Sequence, residues 1–370
     1  YFKFNKKKNN SIMKKILIVT GGSGGHIMPA LSIFDHLKSN FETSLVTDKR
    51  GAKFINKSNY HFNLIDVPNL FSKIYLFPVN FIRFVISIYK SYFFLKKKNI
   101  DFLISTGGYM SLPLCIASKF LNIKMFLFEP NSVLGKSNRF ILSISKKIIC
   151  YDRNIKLFPK KYLNKIYLIN PILRKEIYFS KKNKKKEIGN TKKILIIGGS
   201  QGAKYFDKKI TEAILKLSKL INIEICQQVF NIEEKYLIEQ KYIKAGIKHK
   251  LFDFDDQLFN KISDYDLAIS RSGASAIAEL AFLKVPFVAI PFPFAKDDHQ
   301  YFNAKFYESI NSCWLIRQDS LEINSFVDLI FNLFTEKKDY FNKKDNLEKI
   351  CDENTWNNVN KKLLDLINEN

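Results

Sequence analysis

Arginine is scarce among the basic residues of this chain. Of 60 basic residues only seven are Arg, yet the formal net charge is +25. A surplus of that size ordinarily points to nucleic acid or an anionic membrane. Here the excess is Lys, spread along a chain also rich in Asn, Ile and Phe, so it reads as general compositional drift. No nucleic-acid partner is expected; an anionic lipid surface or a sugar nucleotide is. Cysteine is sparse as well: Cys115, Cys150, Cys226, Cys313 and Cys351 are odd in number and scattered, with no C-x-x-C pair. That argues against a disulfide framework and a zinc site and fits a reducing cytoplasm. The first apolar run is too short for a signal peptide and enters a glycine turn directly. Met13 just precedes it, so residues 1–12 are expected to be a disordered extension or an upstream start.

What is present is a repeat. Residues 14–25 read KKILIVTGGSGG, and residues 192–202 read KKILIIGGSQG. Each is a short β-branched run ending in small residues, the pattern of a buried parallel strand entering a tight turn. Glycines there let the backbone turn sharply and approach a ligand closely. The following helix offers free amides and a positive dipole end to an anion. Two such units predict an α/β chain of two Rossmann-like domains with parallel sheets, facing across a cleft that takes the ligand.

The segments between obey the same reading. ILIVT, TSLVTD, DFLIST and KMFLFE read as strands in the first half, and KILIIGG, IEICQQV, DLAISRS and PFVAIPF in the second, separated by helical stretches. Such alternation implies parallel sheets covered by helices on both faces. The first domain is placed at residues 13–170, a Lys-rich linker at 171–191 and the second domain at 192–345. A final helical stretch, roughly Asp345 to Ile367, makes up most of the segment 346–370 that is expected to pack back towards the first domain.

Residues 70–98 are apolar and aromatic but interrupted by Lys73, Pro78, Arg83 and Lys90, so they do not predict a bilayer-spanning helix. From Asn80 the polar residues fall at 80, 83, 87, 90 and 91, one narrow stripe at helical spacing. Two readings stay open: a core helix on its own sheet, or a helix whose wide apolar arc dips into a membrane interface with cations at its flanks.

Three stretches carry chemistry. In GGSGGH (21–26) the third glycine of a dinucleotide fingerprint would fall at Ile27, although Asp48 stands where a ribose-binding acid would. A nicotinamide enzyme therefore remains an alternative. His26, at the start of the helix, is a candidate general base near neutral pH. In SRSGASAIAELAFLKVPFVAIPFPFAKDDHQYFNA (270–304), Ser272, Gly273 and Ala274 would open a helix whose amides hold a pyrophosphate. Glu279 follows one and a half turns later, placed to accept hydrogen bonds from two ribose hydroxyls, and His299 and Gln300 are placed to reach a sugar. DFDD (253–256) contains a D-x-D triplet but precedes a helix, so its Asp residues are expected to cap that helix rather than bind a metal.

Taken together these motifs resemble the MurG family, the peptidoglycan N-acetylglucosaminyltransferases, over essentially all of residues 13–365. GGSGGHIMPA resembles the family's first glycine loop, with Ser23 where Thr is usual, and STGGYMSLP (105–113) its second. EPNSVLGKSN (129–138), GGSQGA (198–203), SRSGAS…E and DDHQYFNA complete the set. The resemblance implies a GT-B fold without cofactor or metal, at the cytoplasmic face of the cell membrane. It implies inverting transfer of N-acetylglucosamine from UDP-N-acetylglucosamine to the 4-hydroxyl of lipid I, giving lipid II. His26 and Glu279 would be catalytic. Ser23, Gly24, Gly25 and Asn131 would touch the donor sugar. Ser200, Phe254, Gln300 and the run Ala274, Ser275, Ala276, Ile277, Ala278 and Glu279 would hold the nucleotide, and Arg174 would approach the diphosphate. Tyr109, Phe81, Arg83, Phe84 and Ile88 would belong to the acceptor and membrane region. Two departures stand out: NPILR (170–174) is one residue longer than the family's N-P-x-R, and Phe128 stands where His often precedes the Glu.

Overall fold

The computed structural model describes residues 13–22, 24–56, 58–68, 74–180, 187–199, 204–253, 255 and 258–369. Seven strands, β1 (Lys15–Val19), β2 (Glu42–Thr47), β3 (Phe62–Leu64), β4 (Phe102–Ser105), β5 (Lys124–Glu129), β6 (Lys147–Cys150) and β7 (Ile166–Leu168), form the first sheet in the order β3-β2-β1-β4-β5-β6-β7. Six more, β8 (Lys192–Ile197), β9 (Ile223–Gln228), β10 (Lys248–Phe252), β11 (Leu267–Ser270), β12 (Phe287–Ala289) and β13 (Trp314–Leu315), form the second in the order β10-β9-β8-β11-β12-β13. Pairs β1–β2, β1–β4, β8–β9 and β8–β11 are all parallel. By contact the chain divides into two compact units, one of residues 1–128, 136–148 and 363–370, the other of residues 129–135 and 149–362.

The apolar runs exist because both faces of each sheet are covered. Ile16, Leu17, Ile18 and Val19 are all without solvent contact. In β8, Ile194 and Ile196 join one core cluster with Leu267 and Ile269, while Leu195 joins the other with Ala268. That is the period-two alternation of a strand, read by two hydrophobic layers. Each sheet reverses its winding beside its glycine turn, at β1/β4 and at β8/β11. Crevices at the carboxyl ends of such strands are where doubly wound sheets bind ligands.

The helix Phe77–Lys98 starts with Pro in its first turn, ends at Asn99 in the left-handed region (φ 50°) and carries Lys96, Lys97 and Lys98 in its last turn. All three features favour a helix. It buries the stripe Asn80, Phe84, Ser87, Ser91 and Leu95 against the helix Leu112–Phe120. Ser87 and Ser91 donate to the carbonyls of Phe84 and Ser87 at 2.6 and 2.7 Å, so these hydroxyls are satisfied within the packed face. The apolar arc lies outward: Phe77, Val79, Phe81, Ile82, Val85, Ile86, Tyr89 and Phe93 are exposed. Of the predicted acceptor-region residues, Phe81 and Arg83 are exposed, Ile88 is half-buried and Phe84 is core. No helix among the described residues is long and apolar enough to cross a membrane.

One expectation is corrected. The final helical stretch is two helices, Lys338–Cys351 and Trp356–Asn368. The break is set by Asn354, whose side chain donates to the Pro171 carbonyl, and by Thr355, whose hydroxyl accepts the amide of Asn358 as a cap. Of the DFDD stretch, Phe254 and Asp256 lie outside the described residues; Leu258 stands at the N-cap of Phe259–Ile262, and Asp255 accepts from Lys250 of β10 at 3.1 Å.

Candidate active site

In the first unit, β1 runs into Gly21 and Gly22, and the next helix begins at Gly24. Gly22 adopts φ +90° and Gly108 φ +85°, backbone that side chains strongly disfavour. The two glycine loops interlock, because a Cβ on Gly108 would lie 2.8 Å from the Gly21 carbonyl oxygen. Asp48 anchors this turn. Its carboxylate accepts from the amides of Gly22 (3.2 Å) and Gly51 (2.8 Å) and from the Arg50 guanidinium (2.9 Å). Burial works to raise this carboxyl, but those donors outweigh it and hold it below the ordinary range. Asp48 is therefore spent on the protein's own loop, which removes the acid the dinucleotide reading needed.

His26, in the first turn of the helix Gly24–Leu37, bonds through Nδ1 to the Thr106 carbonyl at 2.8 Å. The Thr106 hydroxyl in turn donates to the His26 carbonyl at 3.1 Å. A carbonyl only accepts, so Nδ1 carries the hydrogen and Nε2 is the ring nitrogen with the lone pair. Gly107 (φ +91°) lies beneath the ring, where a Cβ would meet Cε1 at 3.3 Å. Gly24 and Gly25 occupy the first two helix positions, and Ser23 lies outside the described residues. Tyr109 sets its ring 5.9 Å from that of Phe84. Phe128 is fully buried.

In the second unit, the helix Ala274–Phe282 is capped by Gly273 in extended backbone, and its first amides have no intrahelical partner. Ser272, just before it, is fully buried, and its hydroxyl finds no hydrogen-bond partner among the described residues. Of the predicted run, Ala274, Ser275, Ala276 and Glu279 keep solvent contact, whereas Ile277 and Ala278 pack into the core. Those two side chains are lost to a ligand. Glu279 is gripped by Arg174 through two bonds, Nε to Oε1 at 3.1 Å and Nη2 to Oε2 at 2.9 Å. Burial pushes the Glu279 carboxyl up, and Arg174 draws it part of the way back. The Gln300 side-chain oxygen accepts from the amide of Phe292 at 3.0 Å, while His299 bonds back to the Lys296 carbonyl at 2.9 Å. Ser200 and Phe254 lie outside the described residues.

The segment 129–135 belongs to this same unit. Glu129 accepts from the Asn131 amide and side chain and from the Gly135 amide, at 3.2, 2.9 and 2.8 Å. Asn303 donates to both Asn131 Oδ1 and the Ser272 carbonyl at 3.1 Å and accepts from the Ser132 amide at 2.8 Å. Asn131 is thus held from both ends of its amide. Sequence reading quoted Glu129 and Asn303 inside their motifs without giving either a role; only contacts between distant segments show one.

Models of two protein families match the chain: the glycosyltransferase family 28 N-terminal domain over residues 16–150 and its C-terminal domain over residues 193–355. A Pelagibacter ubique protein is 46% identical over 96% of this chain and 99% of its own length. A Rickettsia bellii protein is 34% identical over 91% and 95%. Both bear the name UDP-N-acetylglucosamine–N-acetylmuramyl-(pentapeptide) pyrophosphoryl-undecaprenol N-acetylglucosamine transferase. The crystal structure of Acinetobacter baumannii MurG shares the fold, with a TM-score of 0.74 at 22% identity, covering 96% of this chain and all of that one. The chain belongs to the MurG family, within glycosyltransferase family 28.

Proposed function

We propose that this chain transfers N-acetylglucosamine from UDP-N-acetylglucosamine to the 4-hydroxyl of the N-acetylmuramyl-(pentapeptide) of lipid I, forming lipid II. The observation that carries this reading is the end-to-end match to transferases named for that reaction. The donor is held by the second unit: diphosphate at the amides of 272–276, ribose at Glu279, sugar at Gln300 and Asn131. His26 Nε2 takes the proton of the acceptor hydroxyl as it attacks the anomeric carbon, with inversion. The Thr106 carbonyl keeps the imidazole in the tautomer that can do so. UDP leaves, its growing charge met by main-chain dipoles at the helix start; aimed dipoles of this kind are commonly the largest catalytic contribution. Arg174 is the cation closest in role to that charge, once donor hydroxyls compete for Glu279.

The exposed apolar face of Phe77–Lys98, with Arg83 and the terminal lysines beside it, supports seating on an anionic membrane surface, which we assign to the cytoplasmic side from the family resemblance alone. No nucleic-acid partner is proposed. Incubating the purified protein with labelled UDP-N-acetylglucosamine and a lipid I analogue tests the function. A lipid-linked disaccharide is expected; no label transfer, under conditions where a known relative works, would refute it.

A further inference from the structure

Arg271 lies between β11 and the donor helix, only 5% exposed, and its guanidinium faces inward. Nη1 donates to the carbonyls of Ile290 and Pro291 at 3.1 and 2.9 Å, and Nη2 to Gln318 Oε1 at 2.6 Å. The rings of Phe206, Phe292 and Tyr205 surround it at 4.7, 5.5 and 5.8 Å from the central carbon. Three elements of the proposed donor site therefore meet at one side chain. The backbone of Arg271 leads into Ser272 and the helix start. Phe206 and Tyr205 follow the second glycine turn. The carbonyls of 290 and 291 begin the loop whose next amide, Phe292 N, holds the Gln300 side chain at 3.0 Å.

Ile290 is itself held in the core, its amide donating to the Ser270 carbonyl at 2.9 Å, and the strained part of the loop lies beyond it. After Pro291, Asp297 and Asp298 both adopt φ +53°, a conformation costly for residues other than Gly and so dependent on surrounding support. Part of that support is Arg317, beside Gln318, which donates to Asp298 at 2.7 Å. A planar fork with five donors spans the two carbonyls and Gln318 together; an ammonium is a single compact point of donors.

We propose that Arg271 is a positioning residue for the sugar half of the donor: it fixes the 290–292 loop, and through Phe292 the Gln300 amide, relative to the amides at 272–274. This rests on the donor site proposed above. The nucleotide half depends on β11 and its helix, which are also held by the pairing of β11 with β8. Loss of the fork therefore separates affinity for UDP-N-acetylglucosamine from affinity for UDP.

The test uses the full-length protein with Arg271→Lys, Gln318→Ala, Gln300→Ala and the double variant Arg271→Lys/Gln300→Ala. Melting temperature, UDP affinity and the KM for UDP-N-acetylglucosamine are measured for each. Arg271→Lys is expected to raise that KM about tenfold, the equivalent of roughly 1.4 kcal/mol, with UDP affinity within about twofold of wild type. Gln318→Ala removes one of the three bonds seen among the described residues and is expected to shift the same ratio by about threefold, a check that survives if Arg271→Lys folds poorly. In the Gln300→Ala background Arg271→Lys is expected to add nothing further. An unchanged KM, equal losses for both ligands, or full additivity with Gln300→Ala would overturn the assignment to Arg271. Wild-type protein that bound neither ligand would overturn the donor site itself, and this inference with it.

Discussion

Arg174 and Glu279, 105 positions apart in sequence, meet as a parallel two-bond fork at the helix that begins the proposed nucleotide site. The pair is partly shielded, with side chains 28% and 15% exposed. A charge-assisted fork in that setting is worth more than a surface ion pair, and breaking it strands a carboxylate in low dielectric. Arg174→Ala is expected to cost about 1–2 kcal/mol, below the range for a fully buried pair. The pH sign follows from direction. Burial already raises Glu279, and removing the cation raises it further, so the folded protein holds that proton more tightly than the unfolded chain. Stability is then lost as pH rises above the ordinary carboxylate range. The melting deficit of Arg174→Ala should be larger at pH 8 than at pH 5. Glu279→Gln should weaken UDP binding roughly tenfold; equal UDP affinity would remove Glu279 from the nucleotide site.

The His26 lock gives a second expectation. His26→Ala should leave UDP-N-acetylglucosamine binding nearly intact while turnover falls roughly a hundredfold, the scale of general acid–base catalysis. Gly107→Ala approaches the same ring from below. Its backbone is left-handed, and the new methyl would crowd Cε1 and Nδ1 of His26 at 3.3 and 3.4 Å. We expect about 1–2 kcal/mol of lost stability from the backbone. Turnover should fall tenfold or more from the displaced ring, with donor KM little changed. Steady-state kinetics and calorimetry on both variants check this; an unchanged rate in His26→Ala would reject the base.

The outward face of Phe77–Lys98 separates binding from folding. Ile82→Glu and Val85→Glu change exposed side chains. Each should abolish sedimentation with anionic vesicles while the melting temperature moves by less than about 0.5 kcal/mol equivalent. Phe84→Ala, on the buried stripe, should cost about 3 kcal/mol or more instead. Vesicle binding that survived both charge substitutions would exclude this face as the membrane contact.

Asp207 is a fourth test, away from the chemistry. It sits in the helical turn Phe206–Ile210, nearly inaccessible, with one carboxylate oxygen that has no hydrogen-bond partner among the described residues. Burial raises its pKa to about 6, Glu234 adds to the rise, and a hydrogen bond involving Gln227 opposes it. The folded value lies above the unfolded one, so the protonated form favours folding and stability declines as pH climbs from about 4 to about 6. Asp207→Asn removes that penalty. At pH 7.5 it should stabilise by about 1–2 kcal/mol, shrinking towards zero near pH 4. Thermal melts across this range decide it; a gain independent of pH would contradict the reading.

The sequence by itself determined the doubly wound architecture, because β1 and β8 must be apolar on both faces and their glycines leave few other turns. It marked His26, the 272–279 helix start and Gln300 as candidates on the same ground, because local backbone demands are written in adjacent residues. It did not show β3, β6, β7, β10 or β13, which are short or mixed in polarity and take their place from neighbouring strands. Tertiary structure alone decided what faces what. It turned the apolar arc of Phe77–Lys98 outward, since Ser87 and Ser91 satisfy their hydroxyls locally and let that stripe pack. It gave Asp48 to the glycine turn, Glu279 to Arg174 and Arg271 to two carbonyls of a distant loop. Pairings between separate segments depend on how sheets bring strand ends together, and no local pattern encodes them.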